Sequence, residues 1–224
     1  MTLVIAAPGK DFIVLGADSR GVIDFGAGRI EVNTHKKLIQ LTKYVSVLMY
    51  GSSEEGNQLV EKYREQINPK LEHVDKVAQD FCKFCQNEER AIADVPKNPE
   101  SYVSFGFLVC GLKVKDGKCS PLIYSLHNDN GFRLGLCKPF AILGKPLIAH
   151  YLFAKEYVDD MTVEKLCILV AQSIYDTMQI DGDVGGQIRI SIIDSEGARE
   201  LSDTDVNSQY ETWSLKKLKK IMET

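Results

Sequence analysis

Two short, almost wholly apolar segments at the start of the chain limit how it can fold. Residues 3–7 read LVIAA and residues 12–17 read FIVLGA, and the turn-like sequence PGKD of residues 8–11 separates them. Both segments are rich in β-branched residues and too short for ordinary helices, so they predict a β-hairpin. Because neither strand offers a polar face to water, we expect a second sheet and helices to cover the hairpin on both sides.

The remaining segments alternate between strand and helix patterns. Residues 36–41 (KKLIQL) and 44–51 (YVSVLMYG) predict a second hairpin, and the polar, glycine-containing stretch 21–35 connects it to the first. Apolar residues at helical spacing predict one helix that begins just after Gly51 and another near 72–91. The later predicted elements are antiparallel strands from Tyr102, helices near 146–157 and 161–178, a strand over 187–194 and a closing helix near 205–222. This order predicts an α+β protein, a four-layer αββα sandwich that forms a single domain over residues 1–224.

Composition is typical of an ordinary soluble protein. The 224 residues carry a net charge of −4, so we expect neither nucleic acid nor an anionic membrane as a partner. No stretch reaches about 18 consecutive apolar residues, and the N-terminus lacks a signal-peptide pattern, which predicts a cytoplasmic protein. Cys82 and Cys85 form a CxxC, but they follow the helical spacing of their neighbours, which indicates packing. No metal and no cofactor is expected.

Four chemically interesting residues lie at the ends of the four predicted strands. Thr2 begins the first strand, Asp18 ends the second, Lys37 begins the third and Gly51 ends the fourth. In a local antiparallel sheet all four would lie at the same end. A four-residue turn in the first hairpin places residue 2 opposite residue 17 or 18, and the second hairpin places Lys37 opposite residue 49 or 50.

These four residues could act together in hydrolysis if Met1 is removed. Thr2 would then carry a hydroxyl nucleophile and a free α-amine, whose pKa of about 8 leaves part of it neutral as a base. A protonated Lys37 would oppose charging of the amine and stabilise an alkoxide, and Asp18 would hold that lysine in place. The backbone N–H of Gly51, at the start of a helix, could bind the oxyanion of a tetrahedral intermediate.

Five motifs, in order and spacing, resemble the proteasome β-subunit type of N-terminal-nucleophile hydrolase: TLVIAA, GADSRG, THKKLIQL, LMYGSSEEGNQ and DGDVGG. The resemblance spans roughly residues 2–195. It implies the same four-layer sandwich, threonine peptidase activity and assembly into rings. It also implies that Thr2 is the nucleophile, that Asp18 and Lys37 are its charged partners and that Gly51 donates to the oxyanion. Asp181 matches the acidic residue before the late Gly-Gly pair.

The resemblance further implies a substrate pocket and a set of partners. The positions that line the pocket before the cleaved bond match Gly21, His35, Met49 and Ser53, which suggests an apolar preference. The expected partners are a peptide or unfolded protein substrate, further copies in a homo-oligomeric ring, and a regulatory ATPase or another proteasome-type subunit. The second predicted helix favours such assembly, because its apolar face (Val77, Phe81, Phe84 and Cys85) exceeds what one contact stripe requires.

Two departures from the family pattern leave alternatives open. Val184 and Leu143 stand where members of the family have serines that hydrogen-bond around the α-amine, so proton transfer would need Asp183 or water instead. A related protein ligase or transpeptidase would also act through a Thr2 acyl-enzyme, with an amine in place of water. A third alternative is a catalytically silent ring subunit.

Overall fold

A computed structural model of the chain describes residues 2–24, 28–51, 53–68, 70–93, 104–115, 117–202 and 206. The strands are β1 Leu3–Pro8, β2 Ile13–Ala17, β3 Gly21–Asp24, β4 Arg29–Val32, β5 Leu38–Thr42, β6 Val45–Gly51, β7 Phe105–Lys115, β8 Lys118–His127, β9 Gly135–Cys137, β10 Ala141–Gly144, β11 Arg189–Asp194 and β12 Gly197–Glu200. The helices are α1 Ser53–Gln66, α2 Val74–Ala93, α3 Leu147–Glu156 and α4 Val163–Ile180.

Two five-stranded antiparallel sheets face each other between two pairs of helices. One sheet has the order β10-β1-β2-β11-β12 and the other the order β5-β6-β7-β8-β9. Along β1, Leu3 and Ile5 pack in the core beneath α3 and α4, whereas Val4 packs between the two sheets. The apolar character of β1 on both faces is therefore explained by burial on both faces, and the predicted four-layer αββα sandwich is confirmed.

The third core lies between the second sheet and the helices α1 and α2. Phe81 of α2 contacts Tyr63 of α1 at 4.8 Å and Phe107 of β7 at 5.0 Å between ring centres. The face of α2 that we expected to exceed one contact stripe is largely buried here, including Val77, Phe81 and Cys85. The expectation that this face awaits a partner is wrong, because aromatic side chains from two other elements already cover it. Cys82 and Cys85 pack in this core.

The four described helices agree with the predicted ones to within about two residues at their ends. Two features were missed: the hairpin of β3 and β4 lies in the stretch predicted as a polar connection, and β12 follows β11. The predicted closing helix near 205–222 lies outside the described residues, apart from Val206. None of the helices in the described part of the chain is both long and apolar enough to cross a bilayer.

The register of the first hairpin differs from the predicted one. Ala7 pairs with Val14 and Val4 with Ala17, so continuation of the ladder puts Leu3, not Thr2, opposite Asp18. The predicted register is wrong because β1 continues through Pro8, and the N–H of Gly9 bonds to the carbonyl of Phe12 at 2.8 Å. The turn therefore closes later than the predicted PGKD turn.

The two hairpins also belong to different sheets, so the expectation of one local four-stranded sheet is wrong. β1 and β2 lie in one sheet and β5 and β6 in the other. Between them the chain forms the separate hairpin of β3 and β4, which carries it across the sandwich. The predicted pairing of the second hairpin is confirmed, since the N–H of Met49 donates to the carbonyl of Lys37 at 2.9 Å. β1 and β6 contact each other across the interior.

Candidate active site

Thr2 lies immediately before β1 and is only 4% exposed. Its carbonyl accepts a hydrogen bond of 2.9 Å from the N–H of Lys145, just beyond the end of β10. Gly144 has a φ of +94°, and a Cβ there would stand 1.8 Å from the carbonyl oxygen of Thr2. Only glycine allows the chain after β10 to approach Thr2 this closely. The sequence distinguishes this glycine from others only by its position before a predicted helix.

Asp18, directly after β2, is completely buried and accepts hydrogen bonds on both carboxylate oxygens. Its Oδ1 accepts from the N–H of Leu3 at 2.9 Å and from Nζ of Lys37 at 2.8 Å. Its Oδ2 accepts from the N–H of Arg20 at 3.2 Å and from that of Gly185 at 3.1 Å. Asp18 therefore ties the residue after Thr2 to the lysine and to the loop after α4.

Lys37, directly before β5, is 2% exposed, and its ammonium also donates to the carbonyl of Arg20 at 2.6 Å. Burial lowers the pKa of Lys37, and Asp18 opposes that shift both by its charge and by its hydrogen bond. The positive charge of Arg20 adds a smaller lowering of the same pKa. A buried cation of this kind, held by a carboxylate and a carbonyl, can stabilise negative charge that develops beside it.

Asp181 directly follows α4 and lies in a loop that reaches Asp18. Its Oδ1 accepts from the N–H of Asp183 at 3.0 Å, and its Oδ2 lies 3.0 Å from Nζ of Lys145. The backbone N–H of Asp183 is the main cause of the lowered pKa of Asp181, with Lys145 contributing as well. The same loop supplies the N–H of Gly185 to Asp18. Asp181 is thus joined to the site through Lys145 and through its own loop.

The two positions where the family has serines supply only apolar side chains. Val184 is 1% exposed and packs in the core beneath α4. Leu143, in β10, pairs with Val4 of β1 and packs against the core between the sheets. Any hydrogen bonds that the α-amine makes must come from other groups.

Gly51 is the last residue of β6 and pairs with Phe105. Its φ is +85°, and a Cβ there would stand 2.3 Å from the carbonyl oxygen of Ser104. Glycine is therefore required at this strand end, two residues before the first residue of α1. The expected start of a helix just after Gly51 is confirmed by α1.

The four residues expected to line the substrate pocket have different surroundings. Gly21 begins β3, and His35 beside it is half-buried, with Nε2 3.1 Å from the amide nitrogen of Asn57 in α1. Burial is the main cause of the lowered pKa of His35, followed by the charge of Lys37. Met49 is 1% exposed and packs in the core beneath α1 and α2. Ser53 begins α1, and its side chain lies outside the description.

Arg20 is a site residue that our sequence reasoning missed. Its guanidinium donates to the carbonyl of Gly182 at 2.6 Å and to the side chain of Asn33 at 3.1 Å. A Cβ on Gly185 would stand 2.5 Å from the guanidinium carbon, so this glycine leaves room for the arginine. Arg20 thereby joins the loop after α4 to the end of the β3–β4 hairpin. The only signal in the sequence is its position two residues after Asp18.

The site offers hydrogen-bonding and charged groups rather than metal ligands. Among the described residues, no group of three or more histidine, cysteine or acidic side chains could hold a metal ion. A cavity of about 520 Å³ lies at the opposite end of β1, beside Pro8 and Tyr157, and Thr2 does not line it. The candidate site therefore consists of Thr2, Asp18 and Lys37, at the start of β1.

Comparison with known proteins identifies a family for most of the chain. The family model described as proteasome subunit matches residues 2–193. The matched range includes every site residue discussed above and ends within β11. No curated protein matches the chain.

Proposed function

The chain belongs to the proteasome subunit family, and on that premise we propose that it is a threonine peptidase with Thr2 as the nucleophile after removal of Met1. The observation that carries the proposal is the buried pair of Lys37 and Asp18, 2.8 Å apart and bonded to the residue after Thr2. A buried ion pair is weak evidence for stability, because desolvation offsets its attraction. A lysine whose pKa is shifted by desolvation and by a specific charge partner is a candidate for a functional role.

The proposed reaction uses Thr2 as both nucleophile and base. The hydroxyl oxygen attacks the peptide carbonyl, and its proton passes to the neutral α-amine. Lys37 stabilises the alkoxide, and the N–H of Gly51 stabilises the oxyanion of the tetrahedral intermediate. The C–N bond then breaks as the α-ammonium returns its proton to the leaving amine. Water hydrolyses the ester on Thr2 by the same route, which restores the free hydroxyl.

Proteasome subunits form oligomeric rings, and we propose a homo-oligomeric ring for this chain. Supporting the proposal, α3 exposes apolar side chains, with Leu147 81% and Tyr151 67% exposed. A ring would enclose Thr2 and admit peptides or unfolded proteins, delivered by a regulatory ATPase or another proteasome-type subunit. Gly21, His35 and Ser53 would line its substrate pocket, and Met49, which is 1% exposed, would lie beneath that lining. Light scattering that gives a mass near the 25.0 kDa of one chain would contradict the ring.

Covalent labelling tests the nucleophile directly. A peptide vinyl sulfone should add one equivalent to Thr2, seen as a mass increase on the N-terminal peptide of protein that has lost Met1. Thr2→Ser should still be labelled because it keeps the hydroxyl, whereas Thr2→Ala should not. Full retention of Met1 in the native protein, or labelling that persists in Thr2→Ala, would show that the nucleophile is misassigned.

A second candidate function follows from the apolar residues at the serine positions. Val184 and Leu143 supply no hydroxyl that could activate water, which favours an acyl-enzyme resolved by an amine. Incubation of the protein with a peptide and an excess of a second amine distinguishes the two. A transferase would form mainly the new amide, a peptidase mainly the free acid, and a silent subunit neither.

A further inference from the structure

Lys145 contacts Thr2 through its backbone and the loop after α4 through its side chain. Its N–H donates to the carbonyl of Thr2 at 2.9 Å. Its ammonium lies 3.0 Å from Asp181 and 3.4 Å from Asp183. No sequence motif pointed to this lysine, which directly follows the glycine that Thr2 requires. Lys145 is thus a charged residue directly after β10 whose backbone is bonded to the backbone of Thr2.

These contacts belong to a closed circuit of hydrogen bonds and ion pairs around the start of β1. From Lys145 the circuit runs to Asp181 and along its loop to Gly185, whose N–H donates to Asp18 at 3.1 Å. Asp18 in turn accepts from the N–H of Leu3 at 2.9 Å, which returns the circuit to the residue after Thr2. In this circuit the side chain of Lys145 links the end of β10 to the loop by a charged hydrogen bond to Asp181. Its removal would open the circuit without removing a backbone bond.

The positive charge of Lys145 lowers the pKa of a nearby amine, because it disfavours a second positive charge. Both of its carboxylate partners, Asp181 and Asp183, come from the loop after α4. The other charged groups around the start of β1 are Lys37 and Asp18, which pair with each other, and Arg20, which donates to the carbonyl of Gly182 in the same loop and pairs with Glu31. Without Lys145 the two loop carboxylates would stabilise a protonated α-amine on Thr2, and a protonated amine cannot act as a base.

We propose that Lys145 is a positioning residue that holds Thr2 in register with the loop after α4 and keeps its α-amine uncharged at neutral pH. This inference rests on the proposed function only in assigning the α-amine its role as base. Lys145 acts through its contacts with Asp181 and Asp183 and does not touch the substrate. The charge of Lys145 acts on the α-amine in place of the hydrogen bonds that the resemblance assigns to serines at positions 143 and 184.

The test is a titration of the α-amine itself, which needs no activity. Protein lacking Met1 is labelled with ¹³C-threonine, and the Cα and Cβ shifts of Thr2 are followed against pH. In Lys145→Met the midpoint should rise by about half a unit to one unit, since a neighbouring cation is lost. Lys145→Arg keeps the charge and should retain the wild-type midpoint. Lys10→Met, which removes an exposed lysine at the other end of β1, is the matched control.

The same variants make a kinetic prediction. At pH 7 the turnover of Lys145→Met should fall about threefold to tenfold, matching the smaller uncharged fraction of the amine, with KM unchanged. Turnover should recover above the new midpoint. A role that is merely structural would instead lower turnover equally at all pH values and would not be rescued by Lys145→Arg.

The outcomes separate this inference from the proposed function. An unchanged midpoint in a folded Lys145→Met protein overturns the role of Lys145, even if Thr2 is labelled normally. A raised midpoint in protein whose Thr2 is never labelled supports the role of the lysine and overturns the peptidase. Retention of Met1 overturns both. If Lys145→Met does not fold, Lys145→Gln provides the same test with a side chain that can still donate a hydrogen bond.

Discussion

Two lysine–aspartate pairs of nearly equal length lie in very different parts of the molecule. Lys37 and Asp18, at the start of β1, are 2.8 Å apart and 2% and 0% exposed. Lys113 of β7 and Asp75 of α2 are 2.9 Å apart and 45% and 15% exposed. Burial lowers the pKa of Lys37, whereas the hydrogen bond to Asp75 raises that of Lys113. The distance between the two charges therefore does not distinguish the two pairs, whereas their burial does.

The difference in burial indicates different roles. A pair in contact with water adds little to stability, and its loss is tolerated. A buried pair must offset the desolvation of two charges, and removal of one partner leaves the other charged and unpaired. The Lys37–Asp18 pair therefore has a desolvation cost that the Lys113–Asp75 pair largely avoids. Such a cost is expected at a site where a charge has a functional role.

The largest predicted effect comes from removing each lysine in turn. Lys37→Met should lower the rate of peptide hydrolysis at least about 100-fold, because a fixed cation at the alkoxide is lost. It should also lower the free energy of unfolding by about 3 kcal/mol, because Asp18 stays buried without its cation. Lys113→Met should leave the rate unchanged and lower the free energy of unfolding by less than about 1 kcal/mol.

The double variant Asp18→Asn with Lys37→Met is the control for this comparison. It removes both charges, so it should regain part of the lost stability but none of the activity. A Lys37→Met protein that keeps its peptidase rate would contradict the role given to the lysine.

Two glycines extend the comparison to the backbone of the same regions. Gly144, beside Thr2, has a φ of +94° and no room for a Cβ, whereas Gly117, in the β7–β8 turn near Lys113, has a φ of +73° and nothing within 4 Å. Gly144→Ala should cost about 3 kcal/mol from backbone overlap and slow labelling of Thr2. Gly117→Ala should cost only about 1 kcal/mol, from its left-handed conformation. Equal urea midpoints for the two variants would refute the close approach at Thr2.

A smaller effect concerns His35, which reports the charge of Lys37. Burial and then Lys37 lower the pKa of His35 below its ordinary 6.5. The unfolded chain therefore takes up this proton first as the pH falls through 6.5, and stability is lost between there and the folded pKa. In Lys37→Met the histidine pKa should rise, as measured by NMR of the ring protons. Lys113→Met should leave it in place, and a rise there would argue for a nonspecific change.

The smallest predicted effect is that of salt. Coupling between the charges of each pair is measured from the two single variants and the double variant at low ionic strength and at about 1 M. Salt should weaken the coupling of Lys113 with Asp75, which water reaches, and leave that of Lys37 with Asp18 unchanged. Equal weakening of both would mean that water reaches the buried pair.

Much of the fold could be predicted because its signals are local. The apolar runs of β1 and β2 predicted strands buried on both faces, and helical spacing predicted α1 to α4 to within about two residues at their ends. The β3–β4 hairpin was missed because its polar, glycine-containing sequence is equally typical of a loop. Asp18 does join the start of β1 to Lys37, but the prediction that placed these residues together used a register and a single sheet that the structure does not have.

The sequence by itself determined most of the elements, although not β3, β4 and β12, together with their order and the residue types at their ends, because periodicity, turns and helix starts depend on near neighbours in the chain. Only the tertiary structure decided that Leu3 lies opposite Asp18, that Lys37 is buried and that Lys145 bonds to Thr2. The register of Leu3 depends on where the turn of the first hairpin closes, whereas the burial of Lys37 and the bond of Lys145 to Thr2 depend on contacts between segments far apart in the sequence. Such contacts are set by how the two sheets and the loop after α4 pack together, and no local pattern encodes them.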